Sequence, residues 1–524
     1  MAEAAVTLDD KYTLDKGRVF ITGVQALARL PMVQRQRDVL NGLNTAGFIS
    51  GYRGSPVGGY DQQLWNARKF LENNHIKFQP GLNEDLAASA IWGSQQTNLF
   101  EGGKYDGVFG IWYGKGPGVD RCGDVFKHGN MSGPSKHGGV LLIAGDDHAA
   151  KSSTVPHQSE FAFVDASIPV LNPAGVQEIL DYGVLGFEMS RFSGCWVAFK
   201  TTAENMDSSS SIDVSPNRIN IELPDFDMPA DGLHIRWPDD WIEQEHRLHN
   251  YKLNAVRAFA RANGIDKVVM DSSTAKLGIV TTGKSYLDVR QALEDLGITE
   301  EKADAIGIRL YKIGMPWPLE PMGVHEFAEG LEEILVIEEK RPLIENQLKE
   351  ELYNYPSNKR PRIVGKLDEK QQPLQSAAGV LTANQIASVI ASRIAQFDQG
   401  SEIQRQLQIM ETREAQLVQS KTDFARTPYF CSGCPHNTST KVPEGSRATA
   451  GIGCHFMSVW MDRDTSTFTH MGAEGTPWIG QAAFTETKHI FANLGDGTYT
   501  HSGALAIRAS AASGVNITYK ILYN

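Results

Sequence analysis

The sequence predicts a multidomain α/β protein built on parallel sheets. Short apolar runs of strand length alternate with helical segments along most of the chain, and glycine-rich turns follow several of these runs. A length of 524 residues is enough for about three domains, each able to bury a core. We therefore expect several α/β units in series, with functional residues at the carboxyl edges of their sheets.

Composition argues against two classes of partner. The chain carries 50 Lys and Arg against 62 Asp and Glu, a formal net charge of −12, and no basic cluster stands out, so nucleic acid is not an expected partner. No apolar run is long enough to span a membrane, and the acidic residues 1–10 do not resemble a signal peptide. We expect no membrane segment and a cytoplasmic location.

Residues 1–235 form the first predicted domain. It begins with an amphipathic helix at 24–36, which we expect to be broken or kinked at Pro31. The elements expected after it are a strand at 43–50, a helix at 60–73, and strands at 107–112 and 139–144.

Glycine-rich turns follow the strands of this domain at 51–56, 114–118 and 145–148. The second turn lacks the last glycine of a dinucleotide-binding motif and contains Pro117, so nicotinamide binding is not favoured. Glu84 stands at the start of a small-residue helix, where an acidic residue ordinarily interacts with the helix dipole.

The middle of the chain restarts the α/β pattern. Residues 236–270 are predicted to be a linker with one charged amphipathic helix, and residues 271–365 a second α/β domain. The turn 283–285 in that domain resembles the end of a P-loop but lacks the upstream glycine, so an ATP site is not favoured. Residues 366–424 are polar and rich in glutamine, which predicts a linker with surface helices.

Residues 425–524 form the last predicted domain, and a βαβ unit closes it. An apolar strand at 490–494 precedes Gly495-Asp496-Gly497, a helix follows at 502–513, and a second strand at 515–523 leads to Asn524. Such a unit brings Asp496 and Asn524 to one sheet edge, where their oxygens suit Mg²⁺ and the backbone suits a phosphate. The three residues Gly-Asp-Gly alone are equally typical of an ordinary turn.

Three of the five cysteines lie close together in sequence, which favours metal chemistry over disulfides. Cys431 and Cys434 form a Cys-x-x-Cys pair, and Cys454 follows Gly-Ile-Gly. Their spacing is compatible with zinc, with His436 or His455 as fourth ligand, and equally with an iron-sulfur cluster. Inert thiols are a third, less favoured interpretation.

Several of these motifs together resemble a known enzyme family. The Gly-Asp-Gly unit is similar to the diphosphate motif of thiamine-diphosphate enzymes. Asn83-Glu84, the Tyr52-x-x-Ser55-Pro56 turn, Lys127-His128 and the stretch after Gly145 resemble the pyrimidine domain of the 2-oxoacid:ferredoxin oxidoreductases. Within that group the chain most resembles the indolepyruvate:ferredoxin oxidoreductase family in its long fused form.

The resemblance implies a domain assignment. Residues 1–235 would be the pyrimidine-binding domain, residues 271–365 a domain like the transketolase C-terminal domain, and residues 425–524 the diphosphate-binding domain. In such enzymes one domain supplies an acid to the aminopyrimidine ring and another supplies the diphosphate motif.

The resemblance also implies the cofactors thiamine diphosphate, Mg²⁺ and a 4Fe-4S cluster. Glu84 would activate and bind the first of these, with Ser55 and His128 as further catalytic residues. Arg53 stands where related sequences commonly have proline, a departure that touches the substrate contacts. The remaining cofactor-binding residues would be Gly472, Gly495, Asp496, Gly497 and Asn524, with Asp496 and Asn524 on Mg²⁺.

Cys431, Cys434 and Cys454 would bind the cluster, whose fourth cysteine lies beyond the diphosphate motif in the family. We therefore expect this chain to be the front part of a longer polypeptide.

The implied reaction is oxidative decarboxylation of a 2-oxo acid, aromatic as in indolepyruvate or related, to an acyl-CoA. Electrons would pass through the cluster to ferredoxin, and the expected partners are coenzyme A, ferredoxin and a second copy of the chain in a homodimer. Two alternatives remain open. One is a non-oxidative thiamine-diphosphate decarboxylase or ligase with structural zinc, and the other is a catalytically silent paralogue.

Overall fold

The structure is a computed structural model that describes residues 6–398, 400–419 and 428–524. The chain divides into two compact units, Met1–Gln416 and Leu417–Asn524, here called the first and second unit. None of the helices in the described ranges combines the length and the apolar character needed to cross a bilayer.

The first domain of the first unit contains a six-stranded parallel sheet with strand order β3-β2-β4-β5-β7-β6. Strands β1 and β8 form a separate antiparallel pair. In chain order the strands are β1 Arg18–Thr22, β2 Ala46–Gly51, β3 Ile76–Phe78, β4 Val108–Lys115, β5 Val140–Asp146, β6 Val170–Leu171, β7 Val197–Thr202 and β8 Ser209–Asp213.

Helices cover both faces of this sheet. They are α1 Asp10–Thr13, α2 Gly23–Leu40, α3 Tyr60–Asn66, α4 Arg68–Asn73, α5 Glu84–Gln95, α6 Gly116–Arg121, α7 Gly123–Ser132, α8 Glu160–Asp165, α9 Val176–Ser193 and α10 Ala203–Met206, with a 3-10 turn at Thr97–Leu99. Leu141 and Ile143 of β5 face one core, whereas Leu142 and Ala144 face the other. This alternation explains why β5 is apolar throughout, as a strand covered on both faces must be.

Helix α2 continues through Pro31, so the expected break there is wrong. A capping box at Thr22 begins the helix, and its side chains are buried on several sides, including Leu27 and Leu30. We attribute its continuity to this packing, which compensates for the hydrogen bond that proline cannot donate.

The second domain of the first unit has a five-stranded sheet with order β13-β12-β10-β11-β9, in which only β9 is antiparallel to its neighbour. Its strands are β9 Lys267–Met270, β10 Leu277–Thr282, β11 Ile308–Ile313, β12 Glu333–Ile337 and β13 Arg362–Val364. Strand β9 falls within the predicted linker 236–270, so the sheet begins earlier than the predicted boundary.

The helices of this part begin with the expected linker helix, which contains one π-helical turn. They are α11 Trp241–Arg247, the π turn Leu248–Lys252, α12 Leu253–Ala262, α13 Gly283–Asp295, α14 Glu300–Ile306, α15 Pro321–Ala328, α16 Ile344–Leu352, α17 Ala383–Ile394 and α18 Ser401–Gln419. The interpretation of 366–424 as a linker with surface helices is wrong for α17. Its Ile386, Ile390 and Ile394 are buried in the core of the second domain, against which α17 packs beside α13.

The second unit has a four-stranded parallel sheet with order β15-β14-β16-β17. Its strands are β14 Ala448–Ala450, β15 Thr465–Phe468, β16 Ile490–Gly495 and β17 Ile517–Leu522. Its helical elements are α19 His436–Ser439, a 3-10 segment Cys454–Trp460, α20 Pro477–Gln481, a 3-10 turn Ala482–Phe484, α21 Asp496–Thr498, a π turn Tyr499–Gly503 and α22 Ala504–Ser513. Strands β16 and β17 pair in parallel with a helix between them, which is the βαβ unit predicted for the end of the chain.

Candidate active site

Glu84 lies at the carboxyl edge of the first sheet, in the first turn of α5. Asn83 caps this helix by accepting a hydrogen bond from the backbone N–H of Leu86 at 3.0 Å. The indole N–H of Trp112 donates to the main-chain oxygen of Glu84 at 2.9 Å. With only 7% of its surface exposed, Glu84 is held by its own helix start and by the neighbouring strand β4.

Helix α6 closes on the side chain of Glu84. A Cβ atom built on Gly118 would stand 2.6 Å from Cγ of Glu84, so only glycine leaves room for this carboxylate. The guanidinium Nε of Arg121 lies 3.9 Å from Oε2 of Glu84 and 3.6 Å from Oδ1 of Asp85. The sequence therefore places a buried acid between two helix starts, with a positive charge beside it.

The loop after β5 folds back over the same edge. Asp147 accepts hydrogen bonds from the backbone N–H groups of Lys151 at 3.0 Å and Ser152 at 2.7 Å, and Lys115 at the end of β4 donates to the carbonyl of Ser152 at 2.6 Å. His157 pairs with Asp120 of α6 at 2.8 Å. Burial lowers the pKa of His157, but the contact with Asp120 outweighs it and raises the pKa overall.

The two other predicted catalytic residues differ in position. Ser55 is exposed in the turn that follows β2, the strand next to β4, so it shares the sheet edge with Glu84. His128 lies on the exposed side of α7, bonded to the carbonyl of Asp124 at 2.9 Å and in ring contact with Trp92. Trp92 stands eight residues beyond Glu84 in α5, about 12 Å along the helix axis. The ring of His128 therefore contacts a later turn of α5 than the one that holds Glu84.

In the second unit, Asp496 directly follows β16 and Asn524 follows β17. Because Gly495 and Leu522 are register partners in these parallel strands, both residues lie at the same edge of the sheet, as the sequence predicted. The side-chain amide of Asn524 lies 3.9 Å from Sγ of Cys434. A predicted magnesium ligand and a predicted cluster ligand are therefore neighbours.

Two histidines occupy the space beside Asp496. The rings of His436 and His455 are 5.7 Å apart, and a Cβ on Gly495 would lie 3.0 Å from the ring of His455. Burial, and then the nearby His436, lower the pKa of His455 to about 4, with Asp496 opposing the shift. Burial likewise lowers the pKa of His436. Both rings are therefore neutral near pH 7.

Gly472 approaches the helical segment that follows Asp496. It has φ +93°, and a Cβ there would lie 1.8 Å from the hydroxyl oxygen of Ser502, so the position requires glycine. Its backbone N–H donates to Oε2 of Glu474 at 2.8 Å. Of the predicted cofactor-binding residues in the second unit, Gly472, Gly495, Asp496 and Gly497 thus lie on loops and a helix start that meet at one place.

The three cysteines lie on two loops. A ring contact between His436 of one loop and His455 of the other joins them. Cys431 and Cys454 are exposed and Cys434 is half-buried, and all three are free thiols. The backbone N–H of Cys434 donates to the carbonyl of Cys431 at 3.0 Å, and Asn437 donates to the carbonyls of both residues. Within the described ranges, no three His, Cys, Asp or Glu side chains converge in a group that could hold a metal ion.

The residues fit the implied cofactors to different degrees. Close backbone approach at Gly472, a helix start at Asp496 and the oxygens of Asp496 and Asn524 suit a diphosphate and its Mg²⁺. Cys431, Cys434 and Cys454 have the right chemistry for an iron-sulfur cluster, yet their geometry is not that of a closed site. The role of the cysteines therefore stays a prediction.

Sequence reasoning missed Gly118 and Glu474. Gly118 belongs to the turn weighed as a dinucleotide site, and nothing in its spacing reveals the contact with Glu84. Glu474 follows Gly472 by two residues, and an acidic residue between glycines is a sequence signal that could have indicated it. Its burial is known only from the structure.

Comparisons with known proteins point to one family. Residues 267–417 match the family model described as the indolepyruvate oxidoreductase domain. Over 413 residues the chain is 25% identical to indolepyruvate oxidoreductase subunit IorA of Pyrococcus horikoshii, which covers 74% of this chain and 60% of the relative. The subunit of the same name from Methanothermobacter marburgensis is 22% identical over 515 residues, or 95% of this chain and 73% of the relative.

The chain is similar to the indolepyruvate oxidoreductases over most of its length. This similarity confirms the resemblance to that family drawn from the motifs, whereas the long fused form stays a prediction. The chain spans 60% of the length of the Pyrococcus relative, so the activity of the whole protein remains a matter for proposal.

A solved structure shares the fold. It is the 2-oxoglutarate:ferredoxin oxidoreductase from Magnetococcus marinus, with a TM-score of 0.50 and 16% identity, covering 72% of this chain and 65% of that one. Its likeness concerns the fold alone. Together with the parallel sheets, it confirms the predicted multidomain α/β class.

Proposed function

We propose that the chain is the thiamine-diphosphate-binding part of an enzyme that oxidatively decarboxylates a 2-oxo acid. The observation that carries the proposal is the buried Glu84 at a helix start on the carboxyl edge of a parallel sheet, enclosed by Gly118. An acid in that position is suited to exchanging a proton with a bound heterocycle while water is kept away. The names of the relatives support an aromatic 2-oxo acid such as indolepyruvate.

The cofactor supplies one property that side chains lack. Thiamine diphosphate, when bound, acts as an electron sink that permits the loss of CO₂ from a 2-oxo acid. The carboxyl of Glu84 would hold and release the proton at the aminopyrimidine ring. Ser55 would donate a hydrogen bond to the substrate carbonyl, and the exposed His128 would have at most a distant role.

The second unit would hold the charged end of the cofactor. Asp496 and Asn524 would bind Mg²⁺, and the backbones of Gly472, Gly495 and Gly497 would lie against the diphosphate. Cys431, Cys434 and Cys454 would bind a 4Fe-4S cluster that accepts electrons one at a time. Coenzyme A would take the acyl group and ferredoxin the electrons, in a cytoplasmic homodimer.

One observation favours a second candidate, a non-oxidative thiamine-diphosphate enzyme with zinc at the cysteines. Nδ1 of His436 and Nε2 of His455 are buried without a hydrogen-bond partner in the described structure, and both histidines lie beside the cysteine loops. Neutral imidazole nitrogens are good zinc ligands. A catalytically silent paralogue is the third outcome that an experiment must separate.

An anaerobic assay separates the three. The purified protein is given thiamine diphosphate, Mg²⁺ and coenzyme A, and reduction of a viologen dye is followed with indolepyruvate, phenylpyruvate, pyruvate and 2-oxoglutarate. We expect dye reduction that depends on both the 2-oxo acid and coenzyme A, fastest with an aromatic substrate. Release of CO₂ without dye reduction would favour the non-oxidative enzyme, and absence of cofactor binding would favour the silent paralogue.

A further inference from the structure

Glu474 is a fully buried carboxylate that joins two loops of the second unit. Its Oε2 accepts a hydrogen bond from the backbone N–H of Gly472 at 2.8 Å, and its Oε1 accepts one from the backbone N–H of Ile452 at 3.2 Å. Its own main-chain oxygen accepts a hydrogen bond from the hydroxyl of Tyr519 at 2.8 Å. None of its surface is exposed to solvent.

The two loops carry different predicted functions. Ile452 belongs to the Gly451–Cys454 segment, which bears a predicted cluster ligand, whereas Gly472 lies against Ser502 in the helical segment after Asp496. The Ile452 residue is also held on its other side, since its carbonyl accepts a hydrogen bond from the hydroxyl of Thr498 at 3.4 Å. Ile452 is thus hydrogen-bonded to Glu474, which holds Gly472, and to Thr498 in the helical segment after Asp496.

A carboxylate is well suited to this bridge because it only accepts hydrogen bonds and offers one oxygen to each N–H group. Hydrogen bonds to an ionised acceptor in a buried site are stronger than those between neutral groups. Loss of the bridge would leave two inward-facing N–H groups without a partner, which is costly. The two loops are therefore constrained to move together.

We propose that Glu474 is a positioning residue that couples the diphosphate site to the cysteine loop. Binding of magnesium and thiamine diphosphate at Asp496 and Gly472 restrains Ile452 through Glu474, and this changes the environment of Cys454. By linkage, whatever binds at Cys454 changes the affinity for the diphosphate by the same factor. This inference rests on the proposed function, because it requires the diphosphate site to be real.

The test uses the reactivity of Cys454, which is exposed and open to reagent. The full-length protein is reduced, freed of metal with a chelator, dialysed and alkylated with iodoacetamide, with and without saturating Mg²⁺ and thiamine diphosphate. Peptide mass spectrometry gives the alkylation rate at Cys454. Added N-acetylcysteine, alkylated in the same sample, serves as the reference for the reactivity of the reagent.

We expect the cofactor to slow alkylation of Cys454 by at least about 5-fold in the native protein. In Glu474→Gln one backbone N–H loses its acceptor, so this protection should largely disappear while calorimetry still shows cofactor binding. Glu486→Gln changes an exposed glutamate of the same unit and should behave as the native protein. A merely structural role for Glu474 would lower stability and leave the protection intact.

Thr498→Val provides a second route if Glu474→Gln fails to fold. It removes the hydroxyl that holds the Ile452 carbonyl, and it should also reduce the protection. Full protection of Cys454 in the folded Glu474→Gln variant would overturn the proposal. If only Thr498→Val folds, full protection in that variant would overturn it. Cofactor binding without protection of Cys454 in the native protein would also overturn it. Absence of cofactor binding in the native protein would overturn the proposed function as well.

Discussion

The side chain of Glu84 lies against the main chain of Gly118, so closely that a Cβ at position 118 would stand 2.6 Å from Cγ of Glu84. Gly118→Ala should therefore displace the carboxylate from the sheet edge while leaving the fold intact. A shift of about 1 Å in a catalytic group can cost about 10²-fold in rate. We expect turnover in the dye-reduction assay to fall by at least about 10-fold.

Gly123→Ala is the matched control, because nothing lies within 4 Å of a Cβ at that helical position. It should leave turnover unchanged, since alanine there meets open space. Equal activity in the two variants would show that the position of Glu84 does not matter for the reaction.

Glu84→Gln tests whether the carboxyl of Glu84 exchanges a proton with the cofactor. The amide preserves the size of the side chain, so thiamine diphosphate should still bind, but it cannot exchange a proton with the cofactor ring. Turnover should fall by at least about 10². Asp85→Asn, a change at the adjacent and more exposed acid, should have a far smaller effect. Near-native turnover in Glu84→Gln would return this residue to the role of a charge at a helix start.

Asp496→Ala removes the charged ligand proposed for magnesium. Isothermal titration with Mg²⁺ and thiamine diphosphate should show a loss of affinity of at least about 10-fold, since a first-shell carboxylate is absent. Circular dichroism should be unchanged because Asp496 is exposed. Asp462→Ala, at another exposed position of the second unit, is the control. If both variants bind alike, Gly495-Asp496-Gly497 is only a turn.

The position of Asp496 at a sheet edge could be predicted from the sequence, because the elements that determine it are consecutive in the chain. A strand, a glycine-rich turn, a helix and a second strand follow one another without interruption, and such a unit determines which edge its residues occupy. The observed pairing of β16 with β17 follows that prediction. The place of Glu84 at a helix start could also be read from the local sequence, but its catalytic role was implied by the family resemblance.

Other features depend on contacts between distant segments. Glu474 joins Ile452 to Gly472, and no pattern in the sequence states that these loops meet. In α17 the signal was present, because Ile386, Ile390 and Ile394 recur every four residues, but its polar surroundings led to the wrong prediction of a surface helix. His128 was carried over from a resemblance, which does not specify the position of a side chain.

Asp266 gives a prediction about stability and pH. Its Oδ1 accepts hydrogen bonds from the backbone N–H groups of Gly314 at 2.8 Å and Met315 at 3.0 Å, while its Oδ2 is buried without a partner in the described structure. Burial raises the pKa of Asp266 to about 7, well above the ordinary value of 3.8 for an aspartate. The folded state therefore binds this proton more tightly than the unfolded chain does. The contribution of the bound proton to the free energy of unfolding is lost as the pH rises through about 7.

Asp266→Asn removes this loss and keeps an oxygen for the two N–H groups. The variant should be more stable than the native protein by about 2 kcal/mol at pH 8, allowing for partial solvent access, and the difference should shrink toward pH 5. Urea unfolding at the two pH values measures it. Asp304→Asn, at an exposed position, should show no such pH dependence. A variant less stable than the native protein at pH 8 would contradict the prediction.

The metal bound at the cysteines distinguishes an electron-transferring enzyme from a non-oxidative one. If Cys431, Cys434 and Cys454 bind an iron-sulfur cluster, protein purified without oxygen should contain iron and absorb visible light, and Cys454→Ser should lower both. Cys195→Ala changes a cysteine buried in the core of the first unit and should leave the iron content unchanged.

A zinc site at the same cysteines leads to a different expected result, because histidine can complete the tetrahedral shell of zinc. In that case the protein should hold stoichiometric zinc without iron or colour, and His455→Ala should release it. That result would refute electron transfer through these cysteines and make the non-oxidative enzyme the better account.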